Sequence, residues 1–155
     1  MKELTEYRTQ LINKLTITAK DFQEACLRVK DPFAPLEEDG WNVHQVAAHT
    51  RDVDKLVYGL RALRTAQEDN PEFQNFDGDA YTREHYSADE PLQEILDSLV
   101  QNIEALAVML RDLPPEAWSR VSRHAKLGNG FTLQTWVERG LAHIEEHLET
   151  VQKAK

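Results

Sequence analysis

The segment FTLQTWVERGLAHIEEHLETVQKAK, residues 131–155, predicts a long amphipathic helix, because its apolar residues recur at three- and four-residue intervals. His143 and His147 lie one turn apart at the edge of its apolar face, and Trp136 and Gly140 precede them on the same stripe. A glycine here leaves room for a close approach. Two imidazoles at this spacing can bind one metal ion, but they can equally be exposed polar residues of an acidic helix.

Three earlier segments show the same helical periodicity, and they are residues 3–30, 43–68 and 92–113. Asn42 and Gln45 predict a capping box at the start of the second of these helices. The two prolines that follow the third predict its end.

The connections between these helices predict how the chain is arranged. Residues 31–40 and 69–91 form the first two connections, and a third contains a turn-like GNG at 128–130 before Thr132, the expected N-cap of the last helix. Four helices imply one all-α domain over residues 1–155, a four-helix bundle. Because the long second connection can run the length of a helix, we expect the second and third helices to be parallel, in an up-down-down-up topology.

On a helical wheel, His49 of the second helix falls within the apolar arc, whereas His44 falls nearly opposite, in solvent. His49 is therefore either a core histidine with one hydrogen-bonded nitrogen or a metal ligand. The apolar residues that define the arc are Val46, Val53, Leu56, Val57, Leu60 and Leu63. In the first helix, Cys26 follows Phe22 on the apolar stripe and is expected to be a core residue and not a catalytic thiol.

Antiparallel packing of the second and last helices would bring His49 to the depth of His143 and His147, at about 1.5 Å of rise per residue. Three converging histidines would form a metal site that leaves at least one coordination position open, which is typical of catalytic sites.

The composition excludes several functional classes. With 155 residues, of which 41% are hydrophobic and 29% charged, the sequence is that of a soluble globular protein. The excess of 27 acidic over 18 basic residues argues against binding to nucleic acid or to anionic membranes. No apolar run approaches a membrane span, the N-terminus does not resemble a signal peptide, and one cysteine cannot form an internal disulfide. These features favour a cytoplasmic protein.

Nearly the whole chain resembles the DinB/YfiT-like superfamily of metalloenzymes. The residues that carry this resemblance are GWNVHQVAAHTRDVD (40–54), NPEFQNFDGDAYTREHY (70–86), LPPEAWSR (113–120) and FTLQTWVERGLAHIEEHLETV (131–151). The resemblance implies the up-down-down-up bundle, often as a homodimer. It also implies that His49, His143 and His147 are the metal ligands. Family members often carry another histidine before the last ligand, where this chain has Glu146.

Other residues are candidates for roles around this site. Asp52 is the preferred carboxylate to orient a ligand histidine or to accept a proton, and Glu146 is the second choice. Either could also be a solvated acid at the edge of its helix. Asp77 and Tyr81, in the long connection, are expected to contact substrate, and Trp136 either lines the pocket or belongs to the core.

Relatives that share the resemblance include transferases and isomerases that use low-molecular-weight thiols, and metal-dependent hydrolases. We therefore expect a small-molecule enzyme in which a divalent ion, zinc or nickel, activates a thiol cosubstrate or water. Two alternatives remain open at this point. One is a non-catalytic metal- or ligand-binding bundle, and the other is a structural dimer in which the histidines satisfy one another.

Overall fold

A computed structural model of the chain describes residues 1–36 and 40–154. Its helices are α1 (Lys2–Arg28), α2 (Val43–Val53), α3 (Gly59–Gln67), α4 (Gly78–His85), α5 (Leu92–Arg111) and α6 (Leu133–Gln152). A π-helical turn over Asp54–Tyr58 joins α2 to α3 without a break, so the two form one long helix, and a 3-10 turn covers Pro115–Ser119. Three short strands are β1 (Glu72–Phe73), β2 (Val121–His124) and β3 (Gly128–Thr132). Residues 37–39 of the first predicted connection and Lys155 of the last predicted helix lie outside the described residues.

The predicted helix starts are confirmed at two sites. The Asn42 side chain accepts the backbone N–H of Gln45 at 2.8 Å, and the Gln45 side chain accepts the N–H of Asn42 at 2.9 Å, which completes the capping box. Thr132 caps α6 by accepting the N–H of Thr135 at 3.1 Å.

Side-chain contacts along the helices give their directions. From α1 to α6, Tyr7 donates to Glu138 and Lys14 pairs with Glu145, so these two helices are parallel. From α1 to α5, Asn13 contacts Arg111, Lys20 pairs with Glu104 and Gln23 contacts Asp97, so these two are antiparallel.

The second long helix, α2 with α3, is antiparallel to α6, because His49 lies beside His147 and Arg61 lies beside Trp136. The order along the chain is therefore up, down, down, up, and the predicted topology is confirmed.

The core lies between the four long helices. Its most deeply buried large side chains are Leu15, Phe22, Val43, Ile95, Leu96, Leu99, Ile103, Leu110, Leu133, Trp136 and Ile144. Cys26 is buried among them, and burial raises the pKa of its thiol to about 12. The expectation that Cys26 is a core residue is confirmed.

The long connections contain structure that periodicity did not predict. Strand β1 pairs in parallel with β2, and β2 pairs in antiparallel with β3, in the order β1-β2-β3. This small sheet packs beside the first turns of α6, where the indole N–H of Trp136 donates to Ser122 Oγ at 2.7 Å. Within the second connection, α4 packs on α2 and brings its side chains to the bundle.

The π-helical turn corrects the wheel drawn for the second helix. An uninterrupted α-helix would bury Leu60 and Leu63, yet these side chains are 40% and 37% exposed. A π turn holds more residues than an α turn and so advances the register of everything after it. As a result, Arg61 and Thr65 face inward in place of the two leucines.

The expected exposure of His44 is wrong. Its side chain is 1% exposed, and its ring nitrogens contact the Tyr86 hydroxyl at 2.6 Å and the Glu90 carbonyl at 2.7 Å. The face that a bundle wheel assigns to solvent is covered here by the segment between α4 and α5.

Among the described residues, none of the helices combines the length and the apolar character needed to cross a membrane.

Candidate metal centre

Three histidines from two antiparallel helices meet at one level of the bundle. His49 comes from α2, and His143 and His147 come from successive turns of α6. Their ring centroids lie 4.4–5.4 Å apart. One ring nitrogen from each histidine lies within 4.8 Å of the others. The structure thus brings together the three histidines that the sequence selected.

Thr82 of α4 fixes the orientation of the first of these rings. The hydroxyl of Thr82 donates to the Gly78 carbonyl at 3.0 Å, so its oxygen is free to accept a hydrogen bond from the Nδ1–H of His49, 2.9 Å away. This arrangement places the ring proton on Nδ1 and leaves the Nε2 lone pair of His49 available. Metal-binding histidines are commonly oriented by such a hydrogen bond to the other nitrogen.

The other two imidazoles are held in the neutral form that metal ligands require. Burial, followed by the neighbouring imidazoles, lowers the pKa of His143 to about 3. Burial, followed by His49, lowers the pKa of His147 to about 4. The pKa of His49 is also lowered by burial, against an opposing effect from Asp79.

One imidazole nitrogen of the cluster has no hydrogen-bond partner among the described residues. His143 Nε2 and His147 Nε2 are 3.0 Å apart, and His143 Nδ1 is buried without a hydrogen-bond partner in the part of the chain that the structure describes. Two nitrogens bound to one ion can be no further apart than the sum of two metal–nitrogen bonds of about 2.0–2.1 Å each. The 3.0 Å between the two Nε2 atoms is below this limit, so one ion can bind both. The residues present therefore fit a divalent ion.

A cavity of about 290 Å³ begins at the imidazoles and extends along α6. Its wall includes His49, His143, Asp79, Arg61, Arg139 and His124. The sequence singled out only the first two of these as site residues.

Asp79 is the acid whose charge acts most strongly on the site. Its charge opposes the lowering of the pKa values of both His49 and His147. Asp52 acts on His49 more weakly and is paired with Arg51 at 2.9 Å, and Glu146 acts more weakly still. The roles assigned to Asp52 and Glu146 stay predictions, whereas Asp79 is the carboxylate that lines the cavity.

The three predicted substrate contacts have local structural partners. Asp77 caps α4 by accepting the N–H of Ala80 at 3.0 Å, and Tyr81 stacks on His85 with centroids 4.0 Å apart. Trp136 is fully buried, as its core interpretation expected, although it also lines the cavity. Substrate contact by any of the three stays a prediction.

Two glycines allow the elements around the site to approach closely. A Cβ at Gly78 would lie 2.9 Å from Val53 Cγ2 and 3.1 Å from His49 Cε1, so α4 packs directly on the ligand helix. A Cβ at Gly140 would lie 3.1 Å from Tyr58 Cβ. The room predicted at Gly140 therefore accommodates a neighbouring helix.

Sequence reasoning missed Thr82, Asp79 and His124. Asp77 followed by the polar helix GDAYTREH was the available signal for a short helix in the long connection. No spacing rule placed that helix on α2, because its position depends on tertiary packing.

Comparisons with known proteins agree with this architecture. A family model of the DinB superfamily matches residues 6–151. The solved structure of YfiT from Bacillus subtilis, described as a probable metal-dependent hydrolase with an unusual four-helix bundle topology, matches with a TM-score of 0.85. The two chains are 20% identical, and the match covers 96% of this chain and 85% of YfiT. No curated protein gives a significant match.

The likeness to YfiT shows the fold, and the family model spans nearly the whole chain. Together with the three histidines in their expected order, these findings confirm the resemblance carried by the sequence motifs. The chain belongs to the DinB superfamily.

Proposed function

We propose that this protein is a metal-dependent hydrolase of small molecules in which His49, His143 and His147 hold one divalent ion. The observation that carries the proposal is the convergence of three imidazoles, with one nitrogen of each within 4.8 Å of the others, where His49 and His143 line one end of a cavity. Zinc and nickel are the expected ions, because imidazole suits both. The description of YfiT as a probable metal-dependent hydrolase supports the same reaction class.

A divalent ion at this site would lower the pKa of a water or thiol that it contacts, so that either becomes a nucleophile near neutral pH. The three ligands are neutral, so they leave the charge of the ion undiminished for this purpose. His49 is held in the tautomer that offers Nε2 by its bond to Thr82.

Asp79 is the residue we assign to accept the proton from the nucleophile. It lines the same cavity as His49 and His143, and its charge acts on two of the three imidazoles. Asp52 is less suited to this role because its carboxylate is engaged by Arg51.

The alternative within this reaction class is transfer to a low-molecular-weight thiol cosubstrate in place of water. The same neutral imidazoles and the same carboxylate would serve either nucleophile. We place either reaction in the cytoplasm, where the single, buried Cys26 stays reduced.

The experiment that tests the proposal is a substrate panel on protein loaded with zinc or nickel. Esters and amides are assayed both without and with low-molecular-weight thiols. Electrophilic acceptors are assayed together with the same thiols. Metal-dependent hydrolysis without a thiol supports the proposal, whereas turnover that requires the thiol selects the transferase. Stoichiometric metal with no turnover on any substrate would identify a binding module.

In the same assay, Asp79→Asn should retain the metal and lower turnover by about 100-fold, as expected for loss of a general base. Asp21→Asn, an exposed acid on α1, is the matched control and should behave as wild type. Equal turnover of Asp79→Asn and wild type would remove Asp79 from the mechanism.

A further inference from the structure

The cavity has opposite electrostatic character at its two ends. Asp79, the one acid among the described lining residues, acts on the imidazole end. Arg139 also lines the cavity and lies four residues before His143 on α6, which is about 6 Å of helical rise. Arg61 and His124 line the wall with it. The end away from the imidazoles is therefore cationic.

Arg61 is a buried cation that has no carboxylate partner among the described residues. Its side chain is 7% exposed, and Nη2 donates to the Gln74 carbonyl at 2.9 Å. The guanidinium lies 4.8 Å from the ring centroid of Trp136. Within residues 1–36 and 40–154, no acid lies at ion-pair distance from it. Burying a charge without a counter-ion is costly, which a bound anion would relieve.

Arg139 brings a second guanidinium to the same tryptophan. It lies 5.9 Å from the Trp136 ring and 5.1 Å from the Phe131 ring. It has no ion pair or hydrogen bond to the described residues. The two cations therefore share one aromatic ring, and the pKa of Arg61 is lowered first by burial and further by the charge of Arg139. Two cations held together without an acid are typical of an anion-binding site.

His124 adds a fixed, neutral donor. Its Nδ1 accepts the backbone N–H groups of Lys126 at 3.1 Å and Leu127 at 3.0 Å, so the proton of the neutral ring is on Nε2. Burial and the nearby cations lower the pKa of His124, which keeps the ring neutral. Its Nε2–H makes no hydrogen bond to any residue that the structure describes.

We propose that the substrate of the metal centre carries an anionic group, a carboxylate or a phosphate, that binds Arg61, Arg139 and the Nε2–H of His124. This inference rests on the proposed function, since it places the reacting bond at the imidazoles and the anion beside Trp136, at the other end of the cavity. A cavity of about 290 Å³ restricts the substrate to a small molecule that reaches from the imidazoles to the two arginines.

The test is an NMR titration of the full-length protein that follows the indole N–H of Trp136, the ring beside both arginines. The probes are succinate, inorganic phosphate and the neutral isostere succinamide. The titration is run on metal-loaded protein and again on metal-free protein, where no ion can bind the probe. We expect succinate or phosphate to bind in both states, at least tenfold more tightly than succinamide, and the tighter of the two to identify the anionic group.

Arg139→Gln should weaken binding of the preferred anion by about tenfold, because it removes a charge-assisted contact from a side chain that is not part of the core. Arg139→Lys should retain most of the affinity. Arg64→Gln is the control, because Arg64 lies one turn from Arg61 but pairs with Glu68 outside the cavity. Equal affinity for anions and succinamide, or an Arg139→Gln variant that binds like wild type, would overturn the inference. A protein that binds the anion but never binds metal would refute the proposed function and leave the anion site standing.

Discussion

His49 is oriented by a residue that lies 33 positions further along the chain. The Thr82 hydroxyl accepts from His49 Nδ1 and donates to Gly78, so a single side chain determines which nitrogen of the ligand is available. Loss of such a supporting hydrogen bond typically lowers metal affinity by about 10- to 100-fold.

Thr82→Val should therefore weaken metal binding by about 10- to 100-fold while the fold is retained, because valine fills the same space but cannot accept the hydrogen bond from His49. Competition against a chromogenic chelator measures the affinity, and circular dichroism checks the fold. Thr50→Val is the control, because Thr50 is also buried on the bundle side but bonds to the Val46 carbonyl of its own helix. If both variants bind metal like wild type, Thr82 does not orient His49.

The protonation of His143 and His147 predicts how the stability of the metal-free protein depends on pH. Their ordinary pKa is 6.5, and burial lowers it to about 3 and about 4 in the folded state. Below pH 6.5 the unfolded chain binds protons that the folded chain does not, so stability decreases as the pH falls from about 6.5 towards 4. The melting temperature of metal-free protein should decrease over this window.

The variant His143→Gln/His147→Gln isolates this effect, because it removes both titrating groups. Its melting temperature should change less steeply between pH 6.5 and 4 than that of wild type. Two parallel curves would show that other groups dominate acid unfolding.

The long helix formed by α2 and α3 shows what periodicity predicts and where it fails. Its start, its capping box and the inward position of His49 follow from the sequence. After the π turn the buried face passes to Arg61 and Thr65, because the turn shifts the register in a way that no apolar pattern encodes. The cationic end of the cavity depends on this shift, so a helical wheel could not predict it.

Helix α4 is the element that completes the site without supplying a ligand. It contributes Thr82 and Asp79 and contacts α2 at Gly78. The sequence predicted a connection there because the segment lacks an apolar stripe, and a helix of eight residues has little stability of its own. Its structure therefore depends on packing against α2.

Gly78→Ala tests this packing. The added Cβ would lie 2.9 Å from Val53 Cγ2, a β-branched side chain with little freedom to move, so α4 has to shift away from α2. We expect a loss of about 1–3 kcal/mol in the free energy of unfolding and weaker metal binding, because Thr82 moves with the helix. Urea denaturation and chelator competition measure the two effects. If Gly78→Ala has the same free energy of unfolding and the same metal affinity as wild type, the position of α4 does not depend on this close contact.

At the scale of the whole molecule, the topology was predictable and the small sheet was not. Four apolar stripes and one long connection sufficed for the up-down-down-up bundle, and antiparallel α2 and α6 then placed three histidines at one depth. The strands are only two to five residues long, too short to leave a clear alternating pattern, and β1 pairs with a strand that is far away in the sequence.

We propose that the protein forms a homodimer through the face shared by α1 and α5. Two observations support this dimer. One is the family resemblance, and the other is a pair of exposed apolar side chains, Ile17 (57% exposed) and Val108 (59% exposed). The neighbouring pair Lys20–Glu104 places them at one level of adjacent helices. Light scattering should give about twice the chain mass of 17.9 kDa, and Ile17→Glu should shift it towards one chain mass. A wild-type monomer at micromolar concentration would refute this dimer.

Elemental analysis of the purified protein after incubation with zinc or nickel is the decisive test of whether the three histidines hold one ion. We expect about one ion per wild-type chain and almost none in His49→Ala, His143→Ala or His147→Ala. His85→Ala is the control, because His85 is exposed and bonds to the Tyr81 carbonyl of its own helix, and it should retain the full metal content. A wild-type protein without metal, or a His143→Ala variant with the full metal content, would show that the three histidines are not a metal site.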